Sequence, residues 1–360
     1  MTRKKVCLTL CYWDTEYVRG KAFQKALSTL AIDSDIELVI VKNTHRGILR
    51  YFEVIAKLIR TRLTTNPDIY LISFRGYEIL PFVLLIGVGK KVIYDEFINP
   101  VEWAVYEHKK ADQDSLVVKI LKSLYKFLLM RTAKILSDTK SHAAYSAKIM
   151  HIPVSKYAVL PVGTDEDVFK PLKESRHRRK FQVLYYGSML PLHGVEYVIE
   201  SAVKLGKNKD IEFLIIGGSK KLRDDILVAN SKGAHITYKK WVNYHKLPDV
   251  INDADLCLAG PFGGTVQSQF VITGKTYQFL AMGKAAVVGE TKESGIFENR
   301  HNILIAKQTS SSSLRATIKW AFDNRESLYD IGKNGRNIYN ECYSDKANAK
   351  RLQLILDSLD

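Results

Sequence analysis

Short apolar runs alternate with amphipathic stretches of helical period along most of this chain. In the first half, runs of strand length stand at residues 6–10, 37–41, 69–73, 91–94, 134–137 and 157–161. In the second half, runs at residues 183–186, 211–216, 256–259 and 285–288 are apolar almost throughout, as expected of parallel strands buried on both faces. Strands that alternate with helices form doubly wound parallel sheets, so the pattern predicts an α/β protein.

A polar segment divides the chain at residues 171–180, PLKESRHRRK. It is charged and has no periodicity, which is typical of a linker. The sequence therefore predicts a first domain at residues 1–170, a second domain at residues 181–340 and a final helix at residues 345–360. A chain of 360 residues is long enough for two domains of ordinary size.

The segment at residues 261–288 has the pattern of a loop, a helix and a buried strand. Gly274 and Lys275 begin the helix, and Gly283 ends it. A helix N-terminus presents free N–H groups and a partial positive charge, to which Lys275 adds a full charge. This pattern indicates an anion site; the alternative is an ordinary strand–helix–strand unit with a solvated Lys275.

A second glycine-containing loop follows the apolar run at residues 183–186. Gly187 and Gly194 stand at its ends, with Ser188 and His193 between them. Glycine at the end of a strand allows a phosphate to approach the backbone, and both polar side chains could donate hydrogen bonds to it. Doubly wound sheets bind ligands at the carboxyl ends of their strands, where both loops are expected.

The segments GSMLPLHGVEYVIESA, IIGG and GKTYQFLAMGKAAVV, in this order and spacing, resemble the nucleotide-sugar-binding half of retaining GT-B glycosyltransferases. The resemblance is to the large family-4-like group, also called glycosyl transferases group 1. It extends upstream to residues 135–171, and residues 90–110 are similar to the strand and acidic loop of a bacterial branch with the pattern D-x-F-x-S-x-Y-D-T. It implies two Rossmann-like domains facing a cleft, with the C-terminal helix crossing back to the first domain.

The resemblance also assigns donor-binding residues, although two family features are missing. Where many members have an Arg and a Lys that hold the diphosphate, this chain has Ser188 and His193. Where many have two glutamates, it has Phe270 and Gln278, of which Gln278 can still bind a ribose hydroxyl. Stabilisation of the diphosphate is therefore assigned to Lys275, to the N-terminus of its helix and to His193. The predicted donor-binding residues are Gly187, Ser188, His193, Gly194, Gly217, Trp241, Val242, Lys275, Thr276 and Gln278.

The loop after the run at residues 91–94 carries the predicted acceptor-side chemistry. Asp95 follows that strand directly and should lie at the carboxyl edge of the sheet, and Glu102 aligns with an Asp of the family pattern. Both are predicted to be catalytic. Helix capping and surface pairing with lysines are the structural alternative. Further acceptor-side residues are predicted on this loop and on the first strand–helix loop: Trp13, Asp14, Arg19 and His108.

The chain is strongly basic, with a formal net charge of +16 from 54 Lys and Arg against 38 Asp and Glu. Residues 46–62 and 116–134 predict two basic amphipathic helices, which would attract an anionic membrane surface. Their apolar stripes are predicted to face the domain core; the alternative is that an apolar face seats in the membrane interface. No apolar run is long enough to cross a bilayer. Nucleic acid is not predicted as a partner, because no recognised motif accompanies the charge.

These features predict a cytoplasmic glycosyltransferase, peripheral on the inner face of the plasma membrane, that acts in polysaccharide biosynthesis. It would transfer a hexose from a nucleotide sugar to a lipid-linked or cell-surface glycan acceptor, with retention. The nucleotide sugar is a substrate, so no cofactor is predicted. Asp253 and Asp255 imitate a D-x-D metal motif, but they precede a buried run, so no metal is predicted. The alternatives are a non-catalytic relative that binds a membrane or partner, and a nucleotide-sugar epimerase.

Overall fold

The computed structural model of the protein describes residues 3–13, 17–33, 36–107, 112, 115–173 and 180–359. The chain divides into two units, the first made of Met1–Gly163 with Asp345–Asp360 and the second of Thr164–Ser344. Residues 164–170, assigned to the first domain from the sequence, thus lie in the second unit. Of the predicted linker, residues 174–179 lie outside the described part.

Each unit contains a six-stranded parallel sheet. The strands of the first sheet are β1 (Lys4–Leu10), β2 (Ile36–Lys42), β3 (Ile69–Ile72), β4 (Lys91–Asp95), β5 (Lys134–Ser137) and β6 (Tyr157–Val159). Those of the second are β7 (Phe181–Gly187), β8 (Ile211–Gly217), β9 (Ile236–Lys239), β10 (Leu256–Leu258), β11 (Ala286–Gly289) and β12 (Leu304–Ala306). Their orders are β2-β1-β3-β4-β5-β6 and β12-β11-β10-β7-β8-β9, which confirms the predicted α/β architecture.

The helices occupy the intervals between the strands and the end of the chain. They are α1 (Val18–Asp33), α2 (Leu49–Thr64), α3 (Leu80–Ile86), α4 (Leu116–Arg131), α5 (Lys140–Met150), α6 (Val195–Leu205), α7 (Lys220–Ser231), α8 (Leu247–Asp253), α9 (Gly274–Ala281), α10 (Ser311–Asp323), α11 (Leu328–Cys342) and α12 (Asp345–Asp357). None of the helices formed by described residues is both long and apolar enough to span a membrane.

Alternate residues of the first sheet pack into two hydrophobic cores, because successive side chains of a strand point to opposite faces. Leu8 and Leu71 pack on the side of α1 and α12, whereas Tyr70 and Tyr94 pack on the side of α2, α3, α4 and α5. The final helix α12 therefore belongs to the first unit, where it packs on α1.

In the second unit, β7 and β8 lie side by side along their whole length, with Gly187 opposite Gly217 where both strands end. Gly217 has a φ of +104°, and a Cβ atom there would collide with the Gly187 carbonyl oxygen. Only glycine fits this conformation and this close approach. Since both strands are parallel, the loops that follow them leave the same edge of the sheet.

Candidate functional site

Helix α9 is capped at its N-terminus and buried on most sides. The Thr273 hydroxyl donates a hydrogen bond to the Ala259 carbonyl (3.0 Å) and accepts one from the Thr276 N–H (3.4 Å). Every residue from Lys275 to Ala281 except Gln278 is buried. The helix is therefore enclosed by the protein although it carries polar residues. Lys275, the second residue of the helix, is therefore buried as well.

Lys275 is a buried lysine whose ammonium group has no partner among the described residues. The residue is 7% exposed, and its Nζ atom has no hydrogen-bond partner there. The ammonium lies 4.6 Å from the centroid of the Tyr185 ring, which provides a cation–π contact but no counter-charge. Burial lowers the pKa of Lys275 to about 7, because the charged form loses its hydration.

His193 lies beside this lysine in the loop between β7 and α6. Its Nδ1 atom is also buried without a partner in the described part of the chain. Burial, and secondarily the charge of Lys275, lowers the pKa of His193 to about 3, so the imidazole is neutral at physiological pH. A Cβ atom built on Gly187 would lie 3.5 Å from Lys275 Nζ and 3.7 Å from His193 Nδ1. Both nitrogens therefore lie close to the space that a side chain at position 187 would occupy.

This arrangement suits an anionic ligand at the end of β7. A buried charge without a partner is costly, so a bound anion would compensate the ammonium group. The N–H groups of Gly274 and Lys275, the first two of α9, lack partners within the helix and can donate to the same anion, whereas that of Thr276 is taken by Thr273. His193 can donate as well if its proton resides on Nδ1. The site thus combines a latent positive charge, neutral donors and a glycine that lets the ligand approach the backbone.

Gln278 lies one turn further along α9 and is held by Tyr186. The Tyr186 hydroxyl donates a 2.5 Å hydrogen bond to Gln278 Oε1. The amide NH₂ group is left to donate to a ligand, as predicted for a ribose hydroxyl.

We expect Gln278→Leu to weaken nucleotide binding while Gln278→Glu is tolerated, because only the leucine variant cannot bind a ribose hydroxyl. The loss should be about 0.5–1.5 kcal/mol, the usual value of a neutral hydrogen bond. Calorimetric titration of both variants with a nucleoside diphosphate measures it. Equal affinity in the parent and the leucine variant would remove Gln278 from the donor site.

The structure brings some of the predicted donor-binding residues together and leaves others apart. Gly187, Gly194, Gly217 and His193 lie on or beside the ends of β7 and β8, and Lys275, Thr276 and Gln278 share α9. Ser188 instead lines a groove of 680 Å³ between α6 and α7. Trp241 is 72% exposed and Val242 is half-buried.

In the first unit, Asp95 ends β4 as predicted, but its carboxylate is buried in an ion pair. Arg19 Nη2 lies 2.7 Å from Asp95 Oδ1, and Arg19 Nε lies 3.2 Å from both carboxylate oxygens. Arg19 Nη1 also donates to the carbonyls of Leu160 (2.6 Å) and Pro161 (3.0 Å). Two residues predicted on the acceptor side are thus partners that tie α1 and β4 to the chain after β6.

Glu102 begins a π-helical turn, Glu102–Glu107, and pairs with a histidine that the sequence analysis did not identify. Glu102 Oε2 lies 3.2 Å from His142 Nε2, and Asp138 Oδ1 lies 2.7 Å from His142 Nδ1. The two carboxylates raise the pKa of His142 well above its usual value despite complete burial. Glu102 Oε1 is buried without a hydrogen-bond partner in the described part. Asp138 stands four residues before His142, a spacing that could have marked this pair, but the contact with Glu102, 40 residues away, has no local signal.

The loop after β4 is fixed by further buried hydrogen bonds. Glu96 accepts from the hydroxyl groups of Tyr125 (2.7 Å), Tyr157 (3.1 Å) and Ser146. Asn99 donates to Ser146 Oγ (2.9 Å). Buried carboxyl groups with this many donors are typical of a structural network.

The remaining predicted acceptor-side residues cannot all be located. Trp13 is half exposed and packs against Tyr12, with the two ring centroids 5.4 Å apart. Asp14 and His108 lie outside the described residues.

Comparison with known proteins gives the same fold and a class of activity. Residues 180–324 match the profile of the family described as glycosyl transferases group 1. No curated protein sequence matches the chain. Several solved structures resemble it over nearly its whole length, at low sequence identity.

HepE from Anabaena, determined in complex with UDP and glucose, has a TM-score of 0.68 at 11% identity, covering 99% of this chain and 100% of HepE. A glycosyltransferase from Rickettsia africae has a TM-score of 0.71 at 11% identity, covering 100% of this chain and 99% of the Rickettsia protein. Sucrose-phosphate synthase from Thermosynechococcus elongatus reaches 0.68 at 15% identity, covering 99% of both chains.

Likeness at this level over both chains shows a shared fold, and the match at residues 180–324 adds the class of activity. The site at Gly187, His193 and Lys275 lies within that matched segment. The protein is therefore a glycosyltransferase with the GT-B fold, and its segment at residues 180–324 is similar to glycosyl transferases group 1.

Proposed function

We propose that the protein transfers a hexose from a UDP-sugar to a lipid-linked or cell-surface glycan acceptor, with retention and without a metal ion. The observation that carries this proposal is the partnerless pair of nitrogens, Lys275 Nζ and His193 Nδ1, beside Gly187. A diphosphate placed there would accept hydrogen bonds from both residues and from the N-terminus of α9. The complexes of HepE with UDP and with UDP-glucose support this choice of donor.

The same residues account for leaving-group stabilisation. As the bond between the anomeric carbon and the phosphate oxygen breaks, negative charge grows on the departing diphosphate. Fixed positive charge and N–H donors lower the energy of that transition state. Lys275 thus stabilises the diphosphate in place of the Arg and Lys that many family members use. The positive charge comes from the protein, whereas other transferases use a metal ion.

Retention is supported by the resemblance to group 1 enzymes and by the state of the first-unit carboxylates. In the proposed step the acceptor oxygen bonds the anomeric carbon on the face that the phosphate leaves. The acceptor proton passes to the departing phosphate oxygen, so no separate carboxylate base is required. Asp95 and Glu96 are engaged in buried internal bonds, as this mechanism permits.

The charge of the protein supports a membrane-associated acceptor. The net charge of +16 and the basic residues of α2 and α4 favour anionic lipid surfaces. We place the reaction at the cytoplasmic face of the plasma membrane, in the synthesis of a surface polysaccharide.

A panel of nucleotide sugars incubated with the full-length protein and extracted membrane lipids tests the proposal, with nucleotide release and the anomeric configuration of the product as readouts. We expect UDP release with one sugar, dependent on the lipid, and an α-linked product from an α-linked donor. Sugar conversion without any acceptor would instead indicate an epimerase. Failure of every nucleotide to bind the folded protein would favour the non-catalytic alternative.

A further inference from the structure

The outer surface of α2, α3 and α4 carries an unusual concentration of exposed apolar side chains. More than half of the large hydrophobic residues that are exposed in the described chain lie on these helices or directly beside them. We call this surface the basic apolar face. Its apolar members are Ile48, Leu49, Phe52, Ile59, Leu63, Phe82, Leu85, Val88, Leu116, Val117, Ile120, Leu121, Leu124, Phe127 and Met130.

Helix α4 shows the departure from the sequence prediction most clearly. Its apolar stripe was predicted to face the core, but only Val118, Tyr125 and Leu129 are buried. Ile120, Leu121 and Leu124 are each more than half exposed. Monomeric soluble proteins rarely expose apolar side chains in such a contiguous group unless the surface binds a partner or a membrane.

The charges on the same face are almost all positive. α3 and α4 contain no acidic residue, and α4 carries Lys119, Lys122, Lys126 and Arg131. The single acidic residue of α2, Glu53, is bound by Lys57 Nζ (2.6 Å) and by the backbone N–H of Thr44. An occupant of this face must therefore offer both apolar groups and negative charge.

We propose that the basic apolar face inserts into an anionic lipid bilayer, with the apolar side chains of α3 and α4 seated below the headgroups. The proposal goes beyond attraction of the basic residues to the membrane surface, because apolar burial contributes binding that salt does not screen. Lysines on α4 would extend their ammonium groups to the lipid phosphates while the helix body lies deeper.

A second copy of the chain is a poorer occupant of this face. A two-fold interface places the same patch against itself, so lysines and arginines would meet lysines and arginines. Like charges brought together in this way oppose association. An anionic bilayer provides apolar depth and negative charge together, which matches both properties of the face.

The experiment compares binding of the full-length protein to vesicles of phosphatidylcholine alone and of phosphatidylcholine mixed with phosphatidylglycerol. The test variant is Ile120→Gln, Leu121→Gln and Leu124→Gln, which keeps helix propensity and charge. A matched control replaces two exposed apolar residues of α7, Leu227→Gln and Val228→Gln, in the second unit. Insertion is read from the pressure rise of an anionic lipid monolayer.

We expect the test variant to bind anionic vesicles roughly tenfold or more weakly than the parent and to raise monolayer pressure little, because three apolar side chains no longer leave water. The control should behave as the parent does. Binding of the parent should fall with salt but persist in part, and phosphatidylcholine alone should bind weakly.

Equal vesicle binding and equal pressure rise in the parent and the test variant would overturn the proposal. So would a parent that sediments as a dimer and a test variant that sediments as a monomer, with no difference in lipid binding. The proposal is separable from the transfer reaction, because calorimetric binding of UDP should be the same in both proteins. If the parent does not bind UDP, the proposed function is refuted, while the proposal of membrane insertion is unaffected.

Discussion

Replacing Lys275 with methionine should weaken UDP binding by about 1.5–3 kcal/mol, the value of a hydrogen bond to a charged group, which is more than tenfold in affinity. The reason is that the buried Nζ has no partner of its own in the described structure and is free to bind the diphosphate. The same substitution should stabilise the protein without ligand, since methionine removes a buried amino group that has no hydrogen-bond partner in the described structure. Calorimetric titration and thermal unfolding measure the two effects.

The opposite signs of these effects distinguish a ligand-binding lysine from a structural one. A lysine that supported the fold would lose both affinity and stability on replacement. Lys292→Met is a suitable control, because Lys292 also lies over an aromatic ring, 5.1 Å from the Phe270 centroid, but is exposed. Unchanged UDP affinity in folded Lys275→Met would contradict the assignment.

Asp95→Asn should lower the free energy of unfolding by about 3–5 kcal/mol, because it leaves Arg19 buried beside a neutral amide. Both side chains are almost completely inaccessible, and their closest atoms are 2.7 Å apart. Urea denaturation measures the loss. Arg19→Met combined with Asp95→Leu should recover part of it, since apolar residues of similar size can replace a buried ion pair.

The exposed ion pair of Lys319 and Asp323 provides the control. Asp323→Asn should lower the free energy of unfolding by less than about 1 kcal/mol. The prediction also separates a structural role of Asp95 from a catalytic one. If Asp95→Asn keeps its stability and loses turnover, the main role of this carboxylate is not to stabilise the fold through the ion pair. In that case the sequence-based assignment of Asp95 to the acceptor side would stand.

The strands and their alternation with helices could be predicted because parallel strands buried on both faces have a plain apolar signature. Helix α4 could not be placed so well. Its apolar residues occupy several sides of the helix, so periodicity alone does not say which side faces the core. The side that packs on the sheet is set by Val118, Tyr125 and Leu129, and most of the other apolar residues remain exposed.

The positions of Gly187 at the end of β7 and of Lys275 at the start of α9 could be predicted from the sequence, because strand ends and helix starts have local causes. The lack of a partner for Lys275 was not visible, since it depends on which distant residues surround α9. The same limit applies to Arg19 with Asp95 and to His142 with Glu102, whose partners are far apart along the chain. Charges of this kind are recognised only once the fold brings them together.

Proton uptake on UDP binding tests the central claim most directly. The pKa of Lys275 is about 7 without ligand, and a bound diphosphate should return it towards the ordinary value of 10.5. Between these pH values the complex should take up about one proton per UDP. Without ligand, the unfolded chain holds this proton and the folded protein does not, so the free energy of unfolding should rise with pH across the same window.

Calorimetric titrations with UDP near the middle of this window, in buffers of different ionisation enthalpy, count the protons. We expect uptake of about one proton by the parent and by Lys292→Met, and almost none by Lys275→Met. Equal proton uptake by the parent and Lys275→Met, or none by the parent while it binds UDP, would contradict a diphosphate site at Lys275.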